Sequence, residues 1–516
     1  MTKRDEFKAV IDNGNTFKGD SINLGAAMLD GETITNALVK IPLKTMNRHG
    51  LIAGATGTGK TKSLQVLAEN LSDKGVPVLL MDMKGDLSGL AAASEGHPKI
   101  DERHEKIGLP FNASKFPVEL MSLSDQDGVR LRATVSEFGP VLFSRILDAS
   151  DAQSGIISVI FKYCDDNKLP LLDLEDFKKV LQYSTNEGKE ELEKDYGRIS
   201  SASTGAILRK IVELEQQGAD IFFGERSFEV KDLKRTDSNG KGYINIIRLT
   251  DIQDRPKLFS TFMLSLLAEI YSTFPEQGDS GKPELIIFID EAHLIFKEAS
   301  KALHSQIESI VKLIRSKGVG LYFVTQNPTD VPDGVLSQLG LKVQHALRAF
   351  TAKDRKAIKL TAENYPISPF YDTADVLTSL GIGEALVSAL DEKGRPTPLA
   401  ATMMRAPMSR MDILTNKEIK TLNEESYLAD KYNEVIDRKS ANEMLEEKIA
   451  KAAEEEAKAK AQAEREELEK ESKKATSRRK TRSRNTTSDT QKAIIKVLTS
   501  ATVIRGVLGI LGKMIK

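Results

Sequence analysis

His49 to Leu71 reads HGLIAGATGTGKTKSLQVLAENL: an apolar strand, a glycine-rich turn and an amphipathic helix. Within it, Gly54-Ala55-Thr56-Gly57-Thr58-Gly59-Lys60-Thr61 matches G-x-x-x-x-G-K-[ST] at every fixed position. The glycines let the backbone curl so that successive N–H groups point at phosphate oxygens. The helix that opens near Gly59 adds the positive end of its dipole. Lys60 has the reach and charge for the β- and γ-phosphates of a nucleotide, and the Thr61 hydroxyl suits Mg²⁺. A plain glycine-rich turn is the alternative, and the strand before it and helix after it argue against that.

A nucleotide site also needs an acid for the metal and a base for water. LIIFIDEAH supplies both: a strand apolar on both faces, as a central parallel strand is, ending in Asp290-Glu291. Asp290 would hold Mg²⁺ through water and Glu291 would polarise the attacking water. An acid pair at a strand end is common as a helix cap; coupled to an intact phosphate loop, it points to hydrolysis. Thr325-Gln326 closes the strand GLYFVTQ. A terminal amide there either senses the γ-phosphate or is an ordinary loop glutamine.

Working outward, residues 48 to about 405 alternate apolar strands with helical patterns, which is the mark of an α/β domain. Five core strands stand out: LIAG, VPVLLMD from Val76, ELIIFID from Glu284, GLYFVTQ from Gly320 and KVQHALRA from Lys342. A mostly helical insertion over about 90–280 separates the second from the third. Its RTDSNGKGYINIIRL stretch predicts a hairpin turning at Asn239-Gly240. Residues 1–47 read as a short β-rich segment. Asp82, Lys84 and Asp86 in MDMKGD end a strand near the nucleotide, either as a structural or coupling turn or as catalytic groups. His49 and His293 read as packing residues or as partners of the site rather than metal ligands.

Beyond 411 the composition changes. Residues 412–474 are rich in Ala, Glu and Lys, with opposite charges at helical spacing and no sustained apolar seam, so a solvated charged helix is expected rather than a coiled coil. Residues 475–490 form a basic Ser/Thr-rich linker of disordered composition. Lys473 to Arg484 is either a nucleic-acid contact or a solvated linker. Residues 491–516 place Ile494, Leu498, Ala501, Ile504, Leu508, Leu511 and Ile515 on one helical stripe, suited to docking on protein or, less well, to an anionic membrane surface.

The chain has 516 residues, 74 Lys and Arg against 75 Asp and Glu, and one cysteine. Near-neutral charge selects no partner class. A single cysteine, Cys164, excludes a disulfide framework and a cysteine zinc site. With no apolar signal segment in MTKRDEFKAV and no run of membrane-spanning length, the expected location is cytoplasmic.

NRHGLIAGATGTGKT, LLMDMKGDLSGL, FIDEAHLIF, VTQNPTDVP and HALRAFTAKD together closely resemble the HerA-like ATPases of the YjgR type, within the FtsK–HerA superfamily. The resemblance runs from about Leu24 to Arg410 and weakly resumes at IRGVLGILG. It implies a RecA-like P-loop (ASCE) core with parallel strand order 5-1-4-3-2, and a hexameric ring that hydrolyses ATP with Mg²⁺. It further implies Gln326 beside the phosphate loop and a trans-acting arginine just before the fourth strand, here Arg315, with Arg348 and Arg355 as substitutes. The alternative for Arg315 is a cation at a helix C-terminus facing the dipole. DNA is the implied substrate, and a nuclease or another protein an implied partner. Family members carry an N-terminal β-barrel; fewer than about fifty residues precede the core here, enough for a hairpin or vestigial sheet. The expected activity is ATP hydrolysis driving motion on DNA; a protein-remodelling or membrane-associated ring and an ATP-gated scaffold are the alternatives.

Overall fold

The computed structural model describes residues 2–278, 280–298 and 301–480. Its strands are β1 (Ser21–Leu29), β2 (Glu32–Pro42), β3 (Gly50–Ala53), β4 (Val78–Asp82), β5 (Val118–Ser122), β6 (Val129–Arg130), β7 (Ile244–Arg248), β8 (Leu285–Ile289), β9 (Val319–Thr325), β10 (Leu341–His345), β11 (Glu384–Ser388) and β12 (Ala400–Met404). All belong to one sheet, in the order β2-β1-β12-β11-β10-β3-β9-β8-β4-β7-β5-β6. From β10 to β6 every neighbouring pair is parallel. From β10 back to β2 every pair is antiparallel.

The five strands expected from sequence are β3, β4, β8, β9 and β10, and they lie in the order 5-1-4-3-2. Their apolar runs are buried throughout β3, β4, β8 and β9, because crossover helices cover both faces of a parallel sheet. The helix α2 (Lys60–Asp73) follows β3 and buries Leu64, Leu67, Ala68 and Leu71 against it.

Three expectations need correcting. The insertion is not only helical: it contributes β5, β6 and β7, which carry the parallel sheet beyond β4. The turn at Asn239-Gly240 does form, with Asp237 N–H donating to Lys241 O at 2.8 Å. It closes a short hairpin, with Thr236 bridged antiparallel to Gly242 and Tyr243 N–H donating to Arg235 O at 2.9 Å. Beyond it the arm does not continue, because Ile244, Ile246 and Ile247 are buried and β7 slots between β4 and β5. At the N-terminus, helix α1 (Lys3–Gly14) precedes the strands, capped by Thr2 and Asp5; it buries Phe7 and Ile11 and pairs Lys3 with Asp30 and Arg4 with Glu32. The expected hairpin forms as β1–β2, and it extends the edge of the main sheet through the pairing of β1 with β12.

The third correction concerns the charged tail. The compact unit continues through Leu445 rather than ending at 411. Short helices at Asn416–Glu424 and Tyr427–Tyr432 bury Ile419, Leu428 and Tyr432 in it, and the Tyr432 hydroxyl donates to Asp232 at 2.6 Å. The long helix spans Ala441–Lys480, with exposed i,i+4 pairs such as Glu454–Lys458 and Glu456–Lys460. It thus covers the first part of the linker expected at 475–490. The rest of that linker and the amphipathic stripe of 491–516 lie outside the described residues. Among the described residues no helix is long and apolar enough to cross a membrane.

Candidate functional site

The site lies along one edge of the sheet, where the carboxyl ends of β10, β3, β9, β8 and β4 stand side by side. The loop leaving β3 is held at both flanks: Gly54 N–H donates to Thr325 O at 3.3 Å and Ala55 N–H to Ala346 O at 2.9 Å. Gly54 has φ +153° and backs onto His345, whose Cβ would stand 2.5 Å from any Cβ placed there. Gly57, at φ +77°, faces open space, the opening that an anion in the loop would use. Thr58 closes the turn by donating to Ala55 O at 2.7 Å.

Lys60 is buried and folds back on the loop, donating to Gly54 O at 2.7 Å and Ala55 O at 3.2 Å. Burial lowers its pKa, and Lys84 adds to that; Glu291 and Asp290 oppose it. The same four side chains therefore share one electrostatic neighbourhood. Thr61 sits in the first turn of α2, half-buried. The loop and its helix are braced by His345, which the sequence places within the fifth core strand without any sign of this role. Its Nδ1–H donates to Glu384 O at 2.8 Å and its Nε2 accepts from the Ser63 hydroxyl at 2.9 Å.

Asp290 and Glu291 follow β8 and are both buried. Burial, reinforced by Glu291, pushes Asp290 up to about 7, against the pull of Lys84. Glu291 has a left-handed backbone, φ 47°. Lys84 Nζ contacts its Oε1, and His293 Nδ1 lies 3.0 Å from Oε2. Among the described residues these two side chains are the contacts that the carboxylate makes. Gln326 is exposed at the end of β9, with the Thr56 hydroxyl 3.5 Å from its Oε1.

The MDMKGD turn divides its labour. Asp82 is structural: its carboxylate accepts from the N–H groups of Gly85, Asp86 and Leu87 at 2.7, 3.2 and 3.1 Å. Burial nevertheless raises it to about 6. That turn delivers Lys84 to Glu291. Partial burial would lower the Lys84 ammonium, but Glu291, Asp290 and Asp86 outweigh it and raise it.

Arg315 is not brought to this edge. It is exposed just ahead of β9, and the seven residues of that strand put it about 20 Å from Gln326. It lines a polar recess of about 470 Å³ with Lys44, Arg48, Lys312 and Gln277. Arg348 and Arg355 follow β10 and are exposed on the loop edge, with Arg348 donating to Thr378 O at 3.3 Å.

The family model for the C-terminal region of HerA-like helicases matches residues 28–516. The chain belongs to that HerA-like family. It is 24% identical over 401 residues to the DNA double-strand break repair helicase HerA of Sulfolobus acidocaldarius, covering 76% of this chain and 72% of that one. Against the HerA of Saccharolobus solfataricus it is 25% identical over 362 residues and spans 64% of that protein's length. The DNA import protein CedB of Sulfolobus acidocaldarius is 24% identical over 358 residues, covering 69% of this chain and 52% of its own. Among solved structures, the bacterial conjugative coupling protein TrwB without its first 70 residues aligns with TM-score 0.49 and 16% identity, over 79% of this chain and 95% of that one.

Proposed function

We propose that this HerA-like chain is a Mg²⁺-dependent ATP hydrolase with a RecA-like core, working as a hexameric ring that moves on double-stranded DNA in the cytoplasm. The observation that carries the reading is the convergence of the phosphate loop, Asp290, Glu291 and Gln326 on one sheet edge. The residues fit the groups they would hold. Gly57 leaves the loop open where a Cβ would intrude, and two buried carboxylates adjoin a lysine that now spends its donors on loop carbonyls.

Lys60 exchanges those carbonyls for the β- and γ-phosphates, and the loop N–H groups bind the remaining phosphate oxygens. Thr61 and Asp290 would hold Mg²⁺, which supplies charge neutralisation on the triphosphate when bound. Glu291 accepts a proton from the attacking water, and the Gln326 amide reads the γ-phosphate. Arg315, too far from its own loop, serves the site of a second copy, where its guanidinium neutralises charge in the transition state. Motion on DNA rests on the names of the relatives and is the part most exposed to test.

The experiment is a titration of ATP turnover against duplex DNA, single-stranded DNA and no DNA, at several salt concentrations. Duplex is expected to raise turnover several-fold at low salt and to lose that effect as salt rises. Phosphate release no greater than that of Lys60→Ala, with every polymer tried, overturns the ATPase reading. Turnover that ignores DNA but responds to a protein overturns the DNA part alone.

A further inference from the structure

We propose that Lys84 is a latch on Glu291: a positioning residue that keeps the carboxylate from activating water until the turn after β4 moves away. The inference rests on the reading of Glu291 as the base. A carboxylate oxygen that takes a proton from water must be open to that water. Here the Lys84 ammonium contacts Oε1 and His293 Nδ1 stands 3.0 Å from Oε2. The ammonium fills the space in front of the first oxygen, where the attacking water would have to stand. Opening the pair clears that space.

The contact is built to open. Among the described residues Glu291 is held through the side chains of Lys84 and His293 rather than through backbone N–H groups, so its position answers to the cation beside it. The Lys84 side chain is 42% exposed, against 8% for Glu291, so the lysine is the member free to leave. Its turn is stiff and moves as a unit, because Asp82 ties three successive N–H groups to itself.

That turn is also wired to its neighbours. Gln253 Nε2 donates to Met83 O, and Leu249 N–H donates to Asp82 O at 3.1 Å. Thr250 packs so near Gly85 that a Cβ there would lie 2.9 Å from its Cγ2, and the Thr250 hydroxyl accepts from Gln126 at 2.9 Å. Arg248 donates to Asp127 O at 2.9 Å. The turns after β4, β5 and β7 therefore form one connected rim. Displacing the rim carries Lys84 with it and frees Glu291.

The test compares wild type with Lys84→Met, Lys84→Arg and the double variant Lys84→Met/Glu291→Gln, measuring kcat and KM for MgATP without polymer. Lys84→Met is expected to raise basal kcat about threefold to fivefold, the effect of a half-exposed ion pair on a reacting base, with KM unchanged. Lys84→Arg should keep the low basal rate. The double variant should be inactive, which shows that the extra turnover passes through Glu291. A lysine that gripped phosphate would instead give a raised KM with a lowered kcat on its loss. That result, or an unchanged basal kcat in a Lys84→Met protein with a wild-type melting temperature, overturns the latch. A wild-type rate equal to that of Lys60→Ala defeats the hydrolase reading itself and the latch with it, and so is told apart from a failure of the latch alone.

Discussion

Two buried histidines make this protein acid-sensitive by an amount that can be worked out. His49 Nε2 donates to Val311 O at 2.7 Å, and its Nδ1 accepts from Leu321 N–H at 3.0 Å. It is therefore the neutral Nε2–H tautomer, pinning the strand before the phosphate loop to β9 and to the helix at Lys301–Leu313. Burial, with a contribution from Arg315, lowers its pKa from 6.5 to about 4. His345 is likewise buried and neutral, lowered to about 4 by burial, with Lys60 adding to it. Between pH 6.5 and 4 the unfolded chain binds protons at these positions that the native state refuses. Stability is therefore present above pH 6.5 and falls as pH drops.

At pH 5 each histidine costs roughly 2 kcal/mol relative to pH 7.5, and the pair roughly 4 kcal/mol. Urea unfolding followed by circular dichroism at pH 7.5, 6.0 and 5.0 measures this in wild type, His49→Gln, His345→Gln and the double variant. Carboxylates and other histidines contribute a common background, which the subtraction removes. Each single variant is expected to lose part of the acid sensitivity and the double variant most of it. A double variant with the same pH dependence as wild type refutes the reasoning, because the buried imidazoles would then have no part in it.

Gly54→Ala should keep the fold but weaken ATP binding at least about tenfold by calorimetry, since the new Cβ would stand 2.5 Å from His345 Cβ at a φ that side chains avoid. Glu69→Ala should cost about 3–5 kcal/mol in urea unfolding. Its buried carboxylate accepts from Met408 N–H at 2.8 Å and Ser409 N–H at 2.9 Å, as well as from the Ser409 hydroxyl, and removal orphans all three donors. Arg315→Ala should leave ATP binding intact and lower kcat. Mixing it with Lys60→Ala subunits should restore part of the activity if the arginine works in trans, and none if it does not.

How much of this was legible follows from register. β3, β4, β8 and β9 could be read because each is a nearly unbroken apolar run, whereas β10 mixes Leu341 and Val343 with Lys342, Gln344 and His345, and β7 escaped because a strong turn signal sat directly in front of it. α1 escaped because it anchors itself by only two buried apolar side chains, Phe7 and Ile11. Within the site, Lys60, Asp290 and Glu291 announce themselves by local pattern, whereas the contacts of Lys84 and His345 do not, being made between segments far apart in the chain. Yet those contacts are consequences of strand order. With β4 beside β8 in the register Met81↔Ile289, the turn carrying Lys84 must leave the sheet beside Glu291. With Gln344 opposite Ala53, His345 must lie behind Gly54. With Ala53 opposite Thr325, Gln326 must emerge beside the phosphate loop, where Thr56 meets it. The order 5-1-4-3-2 thus carries more chemistry than the motifs alone. A motif says which residue types stand at a strand end, and the register says which two ends face each other, and so which lysine reaches which glutamate.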